Sequence, residues 1–293
     1  MLNGKIIKGI GGFYYVDTEN GLYECRARGI FRKDKITPLV GDRVIISVVD
    51  EQNKKGVVEE INERDTELIR PPIANVDKAL IVFAIKNPSP NLSLLDRFIV
   101  LAEKENLEIV IILTKVDLDD GEELKKIQDI YELSGYKVIP VSNQMKLNID
   151  KVKEELRGNV VVFAGPSGVG KSSLLNEIDN NLKLQTGEVS DKIKRGKHTT
   201  RHAELLKLEC GGMVADTPGF SSLTLDDIDE TELKEYFIEF NDFDDCKFGA
   251  RCIHDKEPGC AVKKAVENGE VSKKRYESYI QLLNEIRQGR RRY

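Results

Sequence analysis

No apolar run in the 293 residues approaches the ~18 needed to span a bilayer, which excludes a membrane-spanning helix. The opening stretch, MLNGKIIKGIGGFYY, lacks the apolar core of a signal peptide, so a cytoplasmic location is expected. A large net charge is also missing. The chain carries 45 basic and 50 acidic side chains and a net charge of −5. That balance argues against a uniformly basic nucleic-acid coat. Cysteines number five, an odd count, and no C-x-x-C occurs. A disulfide framework and a paired redox site are therefore both disfavoured. No internal repeat is visible. What is present suffices for roughly two domains, or three if one is small.

The charge is segregated along the chain. Residues 26–35, RARGIFRKDK, carry five basic side chains and one acidic. Residues 224–245 carry ten acidic and one basic, and residues 263–293 carry nine basic and four acidic. Two basic regions in an acidic chain point to a polyanionic partner met at two places.

Residues 1–68 read as short strands punctuated by Gly, Asn and Asp: KIIKGI, FYYVD, LYECRAR, DRVIISVV and GVVEEI. Five strands of this length suit an OB-type β-barrel. Phe31, in the basic stretch, either stacks on a base or tucks into the core. RPPIANVD, 70–77, reads as a stiff linker. From 69 to 222 strands alternate with helices, and the near-continuous Val/Ile runs indicate a sheet covered on both faces. One helix is expected to open at Ser93, with Asp96 completing a capping-box-like pattern. Residues 223–293 read as helical and acidic, then cysteine-rich, then helical and basic. The fold class is multidomain α/β: barrel, α/β domain, C-terminal helical domain.

Within the α/β segment, GPSGVGKSS places Gly165, Pro166, Ser167, Gly168, Val169, Gly170, Lys171, Ser172 and Ser173 in a G-x-x-x-x-G-K-S phosphate loop. A strand precedes it and a helix follows. Its glycines let backbone N–H groups turn toward phosphate oxygens. Lys171 would reach the β- and γ-phosphates, and the Ser172 hydroxyl would ligate Mg²⁺. Asp216 and Gly219, in DTPG, suit a Mg²⁺-linked carboxylate and an amide at the γ-phosphate. Thr199 and Thr200, in RGKHTTRH, lie between; a threonine there can bind Mg²⁺ only while the γ-phosphate is present.

ILTKVDL supplies Thr114, Lys115, Val116 and Asp117. An aspartate at this place accepts from the ring N–H and exocyclic amine of guanine, a donor pair that adenine lacks. Thr114 stands where an asparagine is more usual. PVSNQ, 140–144, resembles the companion loop on the base side, with Asn143 where alanine is more usual. The base reader precedes the phosphate loop, the reverse of the ordinary order. Joining the old chain ends and reopening elsewhere, a circular permutation, preserves every loop position.

Cys246, Cys252, His254 and Cys260 give three sulfurs and one nitrogen within 15 residues. Such a set, with no position open, suits structural Zn²⁺. Coincidental cysteines are the alternative. Cys25 and Cys210, in strand-like runs, read as buried core residues.

In the order PLVGDRV, TKVD, GPSGVGKSS, GKHTTRH, DTPGF and CIHDKEPGCAV, these motifs resemble the bacterial circularly permuted ribosome-biogenesis GTPases of the RsgA/YjeQ type, end to end. Two departures stand out: Thr114, and slightly wide spacing of the first two cysteines. The resemblance implies an OB domain, a permuted GTPase domain and a C-terminal zinc domain. It implies Mg²⁺-dependent hydrolysis of GTP to GDP, stimulated by the small ribosomal (30S) subunit during its late maturation. Contacts to 16S rRNA through the barrel and C-terminal domain, and a monomeric state, are expected with it. Phe220 follows Gly219 where Ras-like GTPases carry a water-orienting glutamine, so slow intrinsic turnover is expected. His198 is the candidate to orient water, and the resemblance supports it; an exposed loop histidine is the alternative. A rival reading is an RNA-binding assembly factor for which nucleotide is structural.

Overall fold

The computed structural model describes residues 1–29, 31, 36–69, 71–182, 184, 203–215 and 223–290. The chain begins with a closed five-stranded barrel. Its strands are β1 Leu2–Ile10, β2 Phe13–Thr18, β3 Gly21–Ala27, β4 Arg43–Asp50 and β5 Lys55–Ile61, in the order β1-β2-β3-β5-β4. The period of two sends Ile6, Val16, Tyr23, Cys25, Ile46 and Val58 inward. Phe31 joins the same core, so of its two readings the buried one holds.

The expected linker, 70–77, is not free over its described residues 71–77. Strand β6, Glu67–Ile69, pairs with β7, Pro72–Ala74, and Ile73, Ala74, Asn75 and Val76 are buried. The expected boundary at 68/69 therefore falls inside β6. The motif PLVGDRV supplies the reason. Gly41 has φ +95°, and a Cβ there would sit 1.9 Å from the Ala74 carbonyl oxygen, an approach that only glycine permits. Asn75 donates to the Gly41 carbonyl at 3.0 Å. Arg64 holds the fully buried Asp42 through Nε at 2.7 Å.

The second sheet has six strands in the order β10-β9-β8-β11-β13-β12. They are β8 Lys78–Ala84, β9 Glu108–Thr114, β10 Lys137–Pro140, β11 Val160–Ala164, β12 Leu205–Lys207 and β13 Met213–Ala215. All neighbours are parallel except β12 with β13. Its helices are α1 Leu92–Lys104, α2 Glu122–Leu133, α3 Ile149–Leu156 and α4 Lys171–Ile178. Alternate residues of β8 divide between the two faces. Ala79, Ile81 and Phe83 join the core shared with the barrel, while Leu80 and Val82 pack with residues of α3 and α4. On the barrel side, Lys8 pairs with Glu204 at 2.8 Å, beside β12.

Helix α1 does not open at Ser93. Asn91 is the N-cap, and its side chain accepts from the Leu94 N–H at 3.1 Å. Asparagine caps as well as serine does, and that register turns Asp96 inward, where it is buried.

The acidic stretch after residue 223 is not an α-helix. It forms short 3₁₀ turns at Leu233–Tyr236 and Ile238–Phe240. Upstream of them, the Asp229 carboxylate bonds the Thr231 N–H and hydroxyl, a local alternative to helix bonding. Helices α5 Ala261–Asn268 and α6 Lys273–Arg290 follow. Leu225, Leu233, Phe237, Phe240, Tyr279 and Leu283 lie in a third core. Cys25 is buried, as expected, but Cys210 is only half-buried, in a turn past β12.

Candidate nucleotide site and metal centre

Strands β10, β9, β8 and β11 are parallel, so the loops after them leave one edge of the sheet. That edge, at the carboxyl ends of the strands, is where an open α/β sheet binds ligands. In space the order is the Ser142 loop, the Lys115–Asp117 loop, the Asn87 segment and the phosphate loop. The base-side and phosphate-side motifs, 48 residues apart between Asp117 and Gly165, become neighbours across β8.

The phosphate loop needs its glycines. Gly165, Gly168 and Gly170 have φ of +133°, +79° and +97°, in the left-handed half of backbone space. A Cβ on Gly165 would lie 2.1 Å from the Val82 carbonyl oxygen. Gly170 is the N-cap of α4, so the loop opens onto the unpaired N–H groups of a helix start. Ser167 and Gly168 are exposed, Pro166 and Ser173 half-buried, and Val169 and Ser172 buried. Lys171 folds over the loop and donates to the carbonyls of Gly165 at 2.7 Å and Pro166 at 2.6 Å. Burial pulls its ammonium down to about 8.

Two residues tie the base-side loop to this one. The Thr114 hydroxyl is buried and donates to the Val169 carbonyl. Lys115, at φ +57°, donates to the Gly168 carbonyl at 2.8 Å and to the Asn87 carbonyl. Threonine in place of asparagine therefore keeps the contact to the phosphate loop. Val116 packs its side chain against the main core. Asp117 is the middle residue of the 3₁₀ turn Val116–Leu118, and its carboxylate accepts from the Ser142 hydroxyl. Ser142 is fully buried and in turn accepts from the Met145 N–H at 3.1 Å.

Ser142 and Asn87 are the residues that sequence reasoning passed over. Ser142 lies inside the noted PVSNQ loop, 140–144, but carries no role of its own in the sequence reading. Asn87 carried no signal, because it acts through its backbone carbonyl. His198, Thr199, Thr200, Asp216, Gly219 and Phe220 lie outside the described residues, so the structure adds nothing to their expected roles.

The second cluster lies in the C-terminal domain. One ligand atom from each of Cys246, Cys252, His254 and Cys260 falls within 4.8 Å of every other, and all four residues are buried. Cys246 and Cys260 sulfurs stand 3.9 Å apart. His254 Nδ1 lies 3.7 Å from Cys246 Sγ and 3.3 Å from Cys260 Sγ. Tetrahedral bonds of about 2.3 Å put ligand sulfurs roughly 3.8 Å apart, so the spacing fits one ion. Burial pushes the Cys252 thiol up to about 12 and His254 down to about 4. A bound cation would reverse the thiol shift by favouring thiolate. The Ala261 N–H already points at Cys246 Sγ, 3.2 Å away, and such donors orient a ligating sulfur. The cluster can hold a metal ion.

Comparison with known proteins agrees with this geometry. The family model for the RsgA GTPase matches residues 61–226, and that for the RsgA N-terminal domain matches residues 3–58. The small ribosomal subunit biogenesis GTPase RsgA of Alkaliphilus metalliredigens is 53% identical over 292 residues, covering 99% of this chain and 100% of its own. Its counterpart from Clostridium beijerinckii is 48% identical, covering 97% of each. The crystal structure of YjeQ from Thermotoga maritima superposes with a TM-score of 0.85 at 40% identity, covering 97% of this chain and 98% of its own. That of YloQ, a circularly permuted GTPase, gives 0.82 at 42%, covering 98% and 96%. Barrel, reversed loop order and matched length together place the chain in the RsgA family of circularly permuted GTPases, as a GTP-hydrolysing enzyme.

Proposed function

We propose that the chain hydrolyses GTP on the small ribosomal subunit during the subunit's late maturation. The observation that carries this is the junction at the sheet edge, where Thr114 and Lys115 bond the carbonyls of Val169 and Gly168. A base held by Asp117 and phosphates held by the 165–173 loop then belong to one molecule. The relatives' names supply the ribosomal context. The family assignment favours turnover over the reading in which nucleotide is only structural.

The roles follow from the chemistry. Asp117, held by Ser142, accepts from the guanine N1–H and N2 amine. Lys171 leaves the Gly165 and Pro166 carbonyls for the β- and γ-phosphates. The Ser172 and Thr200 hydroxyls would hold Mg²⁺, which supplies charge neutralisation as the phosphoryl group transfers. Asp216 supports that ion, and the Gly219 amide meets the γ-phosphate. His198 orients the attacking water, because Phe220 cannot. The C-terminal cluster takes one structural Zn²⁺. The working division is a barrel domain, an α/β domain and a C-terminal domain from 223, with the first boundary outside the β6–β7 pair. A cytoplasmic monomer meets 16S rRNA through the barrel and the zinc domain, where the basic regions lie.

Single-turnover GTP cleavage tests this with and without small subunits. Stimulation of at least tenfold is expected, and its absence would remove the ribosomal reading. His198→Ala should keep GTP affinity and lose the stimulation; weakened GTP binding would contradict the role given to His198.

Lys171 adds a pH prediction. Its charged form is disfavoured by burial in the free protein, where it loses its proton near 8. Bound phosphate favours the charged form. Below about 8 the cation is already present, so affinity for GDP should be flat. Above it, binding must draw in a proton, and affinity should fall by up to about tenfold per pH unit. Calorimetry in buffers of different ionisation heat would show proton uptake at pH 9 and little at pH 7. Equal uptake at both pH values would contradict it.

A further inference from the structure

The Thr114 side chain is a single donor. Its hydroxyl lies between two backbone carbonyls, bonded to Val169 and 3.3 Å from the Phe83 oxygen. The residue is 2% exposed. Two acceptors already compete for its one proton. An asparagine amide would bring two N–H groups, one for the loop and one to spare. On its Hoogsteen edge guanine presents N7 and O6, both acceptors. The lone pairs of Thr114 have nothing to receive there, and its proton is spent.

On the guanine-nucleotide reading above, we propose that this enzyme reads guanine on the Watson–Crick edge alone, and that Thr114 is a positioning residue for the phosphate loop. Asp117 is the acceptor for N1–H and the 2-amino group. N7 receives no hydrogen bond from the T-K-x-D element. Lys115 offers no substitute, since its ammonium is committed to the Gly168 and Asn87 carbonyls. Replacing N7 by C–H should therefore cost nothing, whereas removing the 2-amino group should cost affinity. The ligand class widens accordingly to guanine nucleotides altered at N7, including 7-deazaguanine nucleotides.

The test compares GDP, 7-deaza-GDP and inosine diphosphate on the full-length wild-type chain by calorimetry. A 7-deaza-GDP dissociation constant within threefold of that for GDP supports the proposal; a larger loss overturns it. Inosine diphosphate should bind at least tenfold more weakly than GDP, and a smaller loss overturns the proposal. No GDP binding at all would instead remove the reading on which it rests. Thr114→Val should weaken GDP and 7-deaza-GDP by the same factor, on the order of tenfold, and Thr114→Ser should restore both. Unequal losses in the valine variant, or no rescue by serine, would overturn the positioning role. If the valine variant does not fold, the wild-type ligand series still decides the matter.

Discussion

Arg275→Met is expected to loosen the C-terminal domain from the α/β domain, at a cost of about 3–5 kcal/mol. Arg275, on α6, is completely buried. Its guanidinium donates to both Glu239 oxygens, at 2.7 and 2.9 Å, and to Asp96 on α1 at 2.7 Å. The Asp96 oxygen also accepts from the Tyr131 hydroxyl at 2.9 Å. The rings of Phe237, Tyr136 and Tyr131 lie 4.5, 5.4 and 5.7 Å from the guanidinium carbon. The cation thus joins three parts: the acidic turns, α6, and the helices of the sheet domain. Removing it strands two buried carboxylates, and burial already pushes Asp96 above the ordinary carboxylate range. That is the costly way to break a buried ion pair. Removing all three charges is far cheaper, because no charge is then left unpaired. The variant Arg275→Met with Asp96→Leu and Glu239→Leu should therefore be more stable than Arg275→Met alone. Urea unfolding would rank the variants, and amide exchange over 223–290 would show where protection is lost. GDP affinity should stay within twofold, since among the described residues none of these side chains bonds a sheet-edge loop. A single variant as stable as wild type would remove the clamp.

Metal removal has the second large expected effect. The four ligands span residues 246–260, a stretch whose only regular structure is the short 3₁₀ turn Gly249–Arg251. The C-terminal core is completed by Cys246, Cys252 and Cys260 themselves. Structural zinc in small domains binds with apparent free energies of about 10–16 kcal/mol, and that energy is folding energy. Cys252→Ser, or a strong chelator, should abolish exchange protection over 246–260. Protection in the sheet domain should persist, because its cores are built from other residues. Metal analysis should return one zinc per wild-type chain and much less in the variant. A fully protected, metal-free chain would contradict the assignment.

These two sites differ in how far the sequence announces them. The four candidate metal ligands fall within 15 residues and are rare residue types, so their spacing exposes them. The same holds for the phosphate loop, where glycine is needed at φ values other residues avoid. Strand alternation announces the barrel, as in LYECRAR, where Tyr23 and Cys25 turn inward. Arg275 is different. Its partner Asp96 lies 179 residues away, and its helix reads only as basic. Asp96 looks like a capping residue because a local pattern exists for it, whereas its real partner is set by packing between domains. The PP of 70–77 suggests a linker for the same reason; only Gly41 beneath Ala74 makes that segment part of the core. Thr114 sits between these cases. Its departure from asparagine is visible, but the Val169 carbonyl that absorbs its proton appears only when β9 and β11 flank β8.

Binding and specificity both rest on a guanine nucleotide gripped at both ends by loops whose chain order is reversed. The most direct measurement is a calorimetric titration of the purified chain with GDP, ADP and xanthosine diphosphate, repeated on Asp117→Asn. Wild type should bind GDP and show no measurable affinity for ADP. The variant should lose GDP and gain xanthosine diphosphate, whose 2-oxo group offers an acceptor to the new amide. Equal binding of GDP and ADP by the wild type, or undiminished GDP binding by the variant, would contradict it.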